Sequence, residues 1–371
     1  MIFITQRKET GKPLRQDGFS IAELLVAAAI LSMLVVLLLN MVTQTSKTWR
    51  TTSGKIEEFR GARDAFDTIT RRLSQATLNT YLDYDNPTNP QAYMRQSQLR
   101  FLSGPTTNIL GNLLLTTNPM MSVFFQAPTG FSTNASNSIL QNALNTWGYF
   151  LEYGSDSNSR PSFLPTGAPP ARYRYRLMEL MEPTENLSVY NYTSGTNSAG
   201  AYNSTTYTNV DWITNSMALT NRPAHVLAEN VVALIFLPKL SPTDITTWNA
   251  AGSNYSTASL ASNYIYDSSQ NLNSNAPIDP NLDTHNQLPP VIQVTMVAVD
   301  ETSAIRFANT YASLMNASAP QGYANLFQSA SNLPVDLQTL GSILTAQGFN
   351  YRIFTTDVMI KGAKWSGSQT N

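Results

Sequence analysis

The chain has 371 residues, of which 42% are hydrophobic and 13% are charged, and its formal net charge is -1. This composition is sufficient for a membrane helix and a folded domain, but it provides no broad basic surface for nucleic acid. Cysteine is absent and histidine occurs twice, so we expect no thiol catalysis, no disulfide, no cysteine or histidine metal site and no cofactor.

Residues 1–18 form a short charged leader. Its charged side chains are Arg7, Lys8, Lys12 and Arg15, with Glu9 and Asp17 as the acidic members. Positively charged flanks of a membrane span stay on the cytoplasmic side. We therefore expect the leader to be cytoplasmic and the chain after the span to be exported.

A long apolar segment follows, which we assign as a transmembrane segment over residues 19–43. The junction with the leader reads Gly18-Phe19-Ser20-Ile21-Ala22-Glu23, and the chain continues without a charge from Leu24 to Leu39. About 20 apolar residues are enough to cross a bilayer, whereas a secretory signal has a shorter apolar region and a small-residue cleavage site. A lone carboxylate at the head of such a segment is costly in a membrane, so Glu23 is expected to have a function. A plain signal anchor and a cleavable secretory signal are the alternative interpretations.

The order Gly-Phe-Ser/Thr-x-x-Glu before an apolar run resembles the class III signal of type IV prepilins and pseudopilins. The resemblance implies that a prepilin peptidase cuts between Gly18 and Phe19 and that an N-methyltransferase methylates Phe19. It also implies that Glu23, the fifth mature residue, pairs with the N-terminus of a neighbouring subunit. The implied partners are other pilin or pseudopilin subunits and inner-membrane lipid. The implied location is the bacterial inner membrane, with a single pass and a head in the periplasm or, after assembly, on the cell surface.

Residues 44–82 are predicted to continue the helix as an amphipathic spine. Apolar residues recur at three-, four- and seven-residue steps at Trp49, Ile56, Phe59, Phe66, Ile69, Leu73 and Ala76. Such a stripe favours packing against a core. No proline interrupts the segment before Tyr84, so we predict one helix from the membrane to about Asn79, with Gly54 and Gly61 as the easiest places for a bend.

Residues 83–371 are predicted to form an exported globular head. The predicted strands are Met121–Gln126, Trp147–Tyr153, Arg172–Leu180, Val226–Leu237, Val291–Val299 and Tyr351–Ile360. Short helices are predicted around 304–315 and 335–347. Arg172–Leu180 alternates polar and apolar residues, which is typical of a half-buried strand with one aromatic and one charged face. The sequence therefore predicts an α+β fold, in which a long N-terminal helix packs on an antiparallel β-sheet head with long polar loops.

The later segments carry a narrower resemblance. Glu229–Phe236, then a polar insert, then Leu288–Met296 and finally Arg352-Ile353-Phe354 resemble the pattern of minor pseudopilin J of type II secretion. The overall layout is also similar to the family called Verru_Chthon cassette protein C. The first resemblance implies a minor structural subunit of a secretion-like filament, and the second implies a pilin-like role; we expect no enzymatic activity. The alternatives are a membrane-anchored binding or adhesion module with no filament role and an anchored hydrolase.

The sequence gives weaker support for other candidate sites. Asp267, Asp279 and Asp283 could bind Ca²⁺ through oxygen ligands, but they lack the spacing of an EF-hand, and a solvated acidic loop is the preferred interpretation. The neighbouring carboxylates of Asp300 and Glu301 should point to opposite sides of a strand end, which does not suit an acid/base pair. Neither of the common glycine-rich phosphate-binding motifs is present in the sequence.

Overall fold

The structure, a computed structural model, describes residues 20–84, 88–111, 120–137, 139–156, 171–192, 210–219, 221–250, 259–269, 284–314 and 325–365. The chain divides into two compact units, Met1–Ile56 and Glu57–Asn371. The predicted boundaries near residues 43 and 82 remain predictions.

The first unit contains most of helix α1 (Ile21–Glu58). Its stretch from Ile21 to Trp49 is long and apolar enough to cross a membrane, and none of it is buried within the protein. A helix that is apolar on all sides requires an apolar environment, which here comes from lipid or from other helices. The single N-terminal apolar helix is therefore consistent with a single-pass membrane anchor.

Helix α2 (Arg60–Leu73) is separate from α1, so the prediction of one uninterrupted helix to about Asn79 is wrong. The helices are interrupted at Phe59, which packs partly buried against the core of the head. Gly61 follows closely, and glycine lowers helix stability by about 1 kcal/mol relative to alanine. After Leu73 the backbone begins to bond to other segments, since the Ser74 carbonyl accepts from the Lys361 amide at 3.0 Å and the Thr77 amide donates to the Gln126 carbonyl at 2.9 Å.

The remaining elements of the described chain alternate strands with short helices. In the first half they are β1 (Tyr81–Tyr84), β2 (Tyr93–Gln96), β3 (Leu102–Pro105), α3 (Thr106–Leu110), β4 (Met121–Pro128), β5 (Leu144–Ser155) and β6 (Tyr173–Glu182). In the second half they are α4 (Asp211–Met217), β7 (Ala224–Glu229), β8 (Val231–Lys239), α5 (Pro242–Ala250), β9 (Tyr266–Asp267), β10 (Val291–Val299), α6 (Glu301–Leu314), α7 (Leu333–Ala346) and β11 (Tyr351–Met359).

These strands form three sheets, and each described strand pairing is antiparallel. The largest has the order β7-β6-β5-β4-β3-β9, the second has the order β11-β10-β8, and β1 pairs with β2 alone. The predicted α+β fold with a long N-terminal apolar helix and antiparallel sheets is confirmed. The two predicted short helices correspond to α6 and α7.

The predicted single strand Val226–Leu237 is wrong, because the chain changes sheets at Asn230. This residue has a positive φ of 63°, a conformation that asparagine tolerates better than most residues. Its amide donates to the Tyr175 carbonyl at 2.9 Å, and its carbonyl accepts from the Val299 amide at 2.9 Å. β7 therefore ends in the six-stranded sheet, and β8 begins in the three-stranded sheet.

The six-stranded sheet has a core on each face. On one face, Phe66 and Ile69 of α2 belong to a core that also contains residues of the six-stranded sheet and, from the three-stranded sheet, residues of β8 and β10. On the other face, Trp212 of α4 packs with Phe124 and Phe150. Because both faces are covered, the half-buried interpretation of the strand Arg172–Leu180 is wrong. Even Arg176, on its charged face, is only 5% exposed.

Candidate assembly site

The predicted processing residues, Gly18 and Phe19, lie outside the described residues. Glu23 lies in the first turn of α1 and is exposed. The positive end of the helix dipole favours a carboxylate at this position. Leu24, Leu25 and Val26, which follow it, are all more than half exposed.

Helix α1 supplies no nearby cation for Glu23. The next charged residue along the chain is Lys47, and 24 helical residues correspond to about 36 Å at 1.5 Å per residue. If this helix lies in a bilayer, the Glu23 carboxylate needs a positive partner from outside α1.

Helix α2 is fixed to the six-stranded sheet by a buried carboxylate. Glu179 of β6 is 3% exposed and forms an ion pair with Arg72. Arg72 also donates to the Tyr149 hydroxyl at 3.2 Å, and that hydroxyl donates to Glu179 at 3.0 Å. The Arg72 guanidinium lies 3.9 Å from the centre of the Trp147 ring, and His225 approaches Glu179 at 3.1 Å. Burial raises the pKa of Tyr149, and the Glu179 charge raises it further.

Sequence reasoning missed this Glu179 cluster. Arg72 does not belong to the apolar stripe that predicted the packing of this helix, yet its side chain is only 25% exposed. A signal was nevertheless present on β6. Side chains of a strand alternate between faces, so Glu179 falls on the same face as Tyr175 and Leu177, which are core residues. A carboxylate on a core face requires a buried partner.

A second charged cluster joins β6 to the start of α6. Arg174 donates to Glu229 at 2.6 Å and to Glu301 at 2.8 Å and 2.9 Å, and Asn230 donates to Glu301 at 2.9 Å. Burial alone would raise the pKa of Glu301, but the bonds from Arg174 and Asn230 lower it overall. Asp300 instead accepts from the Ser303 amide at 2.7 Å. The neighbouring carboxylates of Asp300 and Glu301 thus make separate structural contacts.

The acidic residues considered for Ca²⁺ are not brought together in the described chain. Asp279 and Asp283 lie outside the described residues. Asp267 accepts from the Ser269 amide at 2.8 Å, and burial raises its pKa. Within the described ranges, no three histidine, aspartate or glutamate side chains are grouped so that they could hold a metal ion.

Comparison with known proteins identifies a similarity at the N-terminus. Residues 13–39 match a family described as the prokaryotic N-terminal methylation motif. No curated protein and no solved structure matches the chain. The matched segment contains Gly18, Phe19 and Glu23 and reaches into α1. The match supports a type IV pilin-like protein that is processed at its N-terminus by prepilin peptidase.

Proposed function

We propose that this chain is a structural minor subunit of a type IV pilus-like or type II secretion-like filament, cut between Gly18 and Phe19 and assembled through α1. The observation that carries the proposal is the methylation motif at residues 13–39, which reaches into a helix that is long and apolar enough over Ile21–Trp49 to cross a membrane. Glu23 and Lys47 are the charged residues of that stretch. In this function the helix is held in the inner membrane before assembly, with the N-terminus cytoplasmic and the head exported. The head has no catalytic role.

Glu23 is the assembly residue in this proposal. Cleavage after Gly18 creates a new amino terminus four residues before Glu23 in every copy. That amino group is positively charged, and it supplies the cation that α1 lacks near Glu23. Pairing between neighbouring chains would neutralise both groups within an apolar helix bundle.

The resemblance to minor pseudopilin J and to Verru_Chthon cassette protein C supports the finer assignment. The three segments that carry the first resemblance correspond to β8, β10 and β11. These strands are neighbours in one sheet, with β10 in the centre. The resemblance therefore concerns one structural unit and not three scattered matches.

The size of the head favours low copy number. A domain of roughly 290 residues has a radius of gyration of about 19 Å, which corresponds to a diameter near 50 Å. Packed helices lie only about 8–10 Å apart. Heads of this width would collide if each helix in a filament carried one. A position at a tip or in an initiating complex leaves room on one side of the head.

Quantitative mass spectrometry of isolated filaments tests this proposal. We expect the chain in the filament fraction at a small share of the pilin-like subunits, roughly one in ten or fewer by the crowding argument. Finding it as the most abundant subunit would contradict the minor role. Finding processed protein in the membrane but never with other pilin-like subunits would instead favour the anchored binding module.

A further inference from the structure

Five oxygen atoms from three segments meet at a buried point on the second face of the six-stranded sheet. They are the two carboxylate oxygens of Glu182, the hydroxyls of Ser188 and Ser216, and the carbonyl of Trp212. Glu182 ends β6, Ser188 begins a short 3-10 helix (Ser188–Tyr192), and the other two residues belong to α4. Glu182 is 3% exposed and Ser216 is 9% exposed. We call these atoms the Glu182 oxygen cluster.

The distances within the cluster are short. The Ser188 Oγ lies 2.9 Å from each carboxylate oxygen of Glu182 and 2.7 Å from the Trp212 carbonyl oxygen. The Ser216 Oγ contacts a Glu182 oxygen and lies 3.4 Å from the same Trp212 carbonyl. Among the described residues, the Ser188 amide, at 3.4 Å from Glu182, is the remaining donor to the carboxylate.

With Glu182 as a carboxylate, the cluster has too few protons for these contacts. A serine hydroxyl carries one proton, whereas the Ser188 oxygen has three oxygen neighbours. Once its proton is directed at one neighbour, lone pairs face each other in the other contacts. No ion pair of the described residues includes Glu182 to offset its charge. A buried charge without a partner is costly, so the site is one positive charge short.

We propose that the Glu182 oxygen cluster binds a hard cation, with Ca²⁺ as the best fit. Ca²⁺ takes oxygen ligands at 2.3–2.6 Å, and ligands at that radius lie about 3 Å from one another, as these oxygens do. A bidentate carboxylate, hydroxyls and a backbone carbonyl are all oxygen ligands, the type that Ca²⁺ prefers in proteins. Bound there, the ion would connect the end of β6 to the 3-10 helix, which precedes residues 193–209, and to α4, which follows them.

Terbium luminescence and thermal unfolding of the full-length protein, extracted from membranes in detergent, test the site. Tb³⁺ occupies Ca²⁺ sites. The Trp212 carbonyl is one of the proposed ligands, so the indole of the same residue should lie near the ion and sensitise terbium emission. We expect emission that Ca²⁺ displaces. We also expect saturating Ca²⁺ to raise the melting temperature by roughly 3 °C relative to chelated protein. Glu182→Gln should abolish both effects, and Trp212→Phe should remove the emission but keep the Ca²⁺-dependent melting shift.

Glu185→Gln is the matched control. This glutamate lies three residues away and is exposed, and the hydrogen bond from Thr133 lowers its pKa to about 2, so it is also a charged carboxylate. The control should keep both signals. Ser216→Ala is a milder variant, should Glu182→Gln fail to fold, and is expected to weaken Ca²⁺ binding at least tenfold. The proposal is wrong if Glu182→Gln keeps the terbium signal, or if saturating Ca²⁺ leaves the melting temperature of the unaltered protein unchanged.

Discussion

Replacing Glu23 with valine should leave the protein in the membrane but remove it from the filament. The change makes α1 uniformly apolar over its first turns, so insertion should be at least as favourable as before. Assembly should fail because the amino terminus of the neighbouring subunit loses its negative partner in an apolar surrounding. Breaking a buried charge pair costs about 3–5 kcal/mol, which corresponds to a loss of binding of about 100-fold or more.

Co-purification with other pilin-like subunits from detergent-solubilised membranes measures this effect. Ser32→Val is the matched control, because it also places valine on α1 but removes only a hydroxyl that bonds to the Ala29 carbonyl of its own helix. The control should assemble normally. Unaltered co-purification of Glu23→Val would show that the carboxylate does not pair between subunits.

Replacing Glu179 with alanine should strongly destabilise the head. The substitution leaves the Arg72 guanidinium partly buried against Trp147 without its carboxylate, and it removes the acceptor of the Tyr149 hydroxyl. Loss of one partner of a buried pair costs about 3–5 kcal/mol. In a domain of this size the melting temperature should fall by roughly 10 °C.

Thermal unfolding followed by circular dichroism measures this loss. Asp64→Ala is the control, since Asp64 lies on the exposed side of α2 and its removal should change stability by less than about 0.5 kcal/mol. The double variant Arg72→Met with Glu179→Leu should recover most of the lost stability, because apolar residues can replace a buried ion pair. Equal melting temperatures for Glu179→Ala and Asp64→Ala would contradict the anchoring role of Glu179.

Individual strands and helices of this fold were predictable because each is marked by the pattern of apolar residues within its own segment. Strands such as β4 and β10 are short runs composed mostly of apolar residues, and α2 shows its buried stripe at helical spacing. The change of sheet at Asn230 was missed because the apolar run on each side of it looks like one strand. Which sheet each half joins depends on pairing with β6 and β10, which lie far away in the sequence.

The candidate sites also differ in whether their residues are close together or far apart in the sequence. Glu23 could be predicted because its meaning lies in a short pattern of neighbours from Gly18 onward. The Glu179 cluster could not, since Arg72 and Glu179 are 107 positions apart and only the folded sheet brings them together. The Glu182 oxygen cluster also joins separate segments, since Glu182 ends β6 and its two serines lie in the 3-10 helix and in α4.

The first residue of the mature protein tests the central claim most directly. Protein isolated from native membranes should be examined by intact mass and by N-terminal sequencing. The account predicts a chain that begins at Phe19 with one added methyl group, and a Gly18→Val variant that keeps the leader. Native protein that begins at Met1, or at a residue beyond Glu23, would contradict the prepilin-type processing on which the proposed function rests.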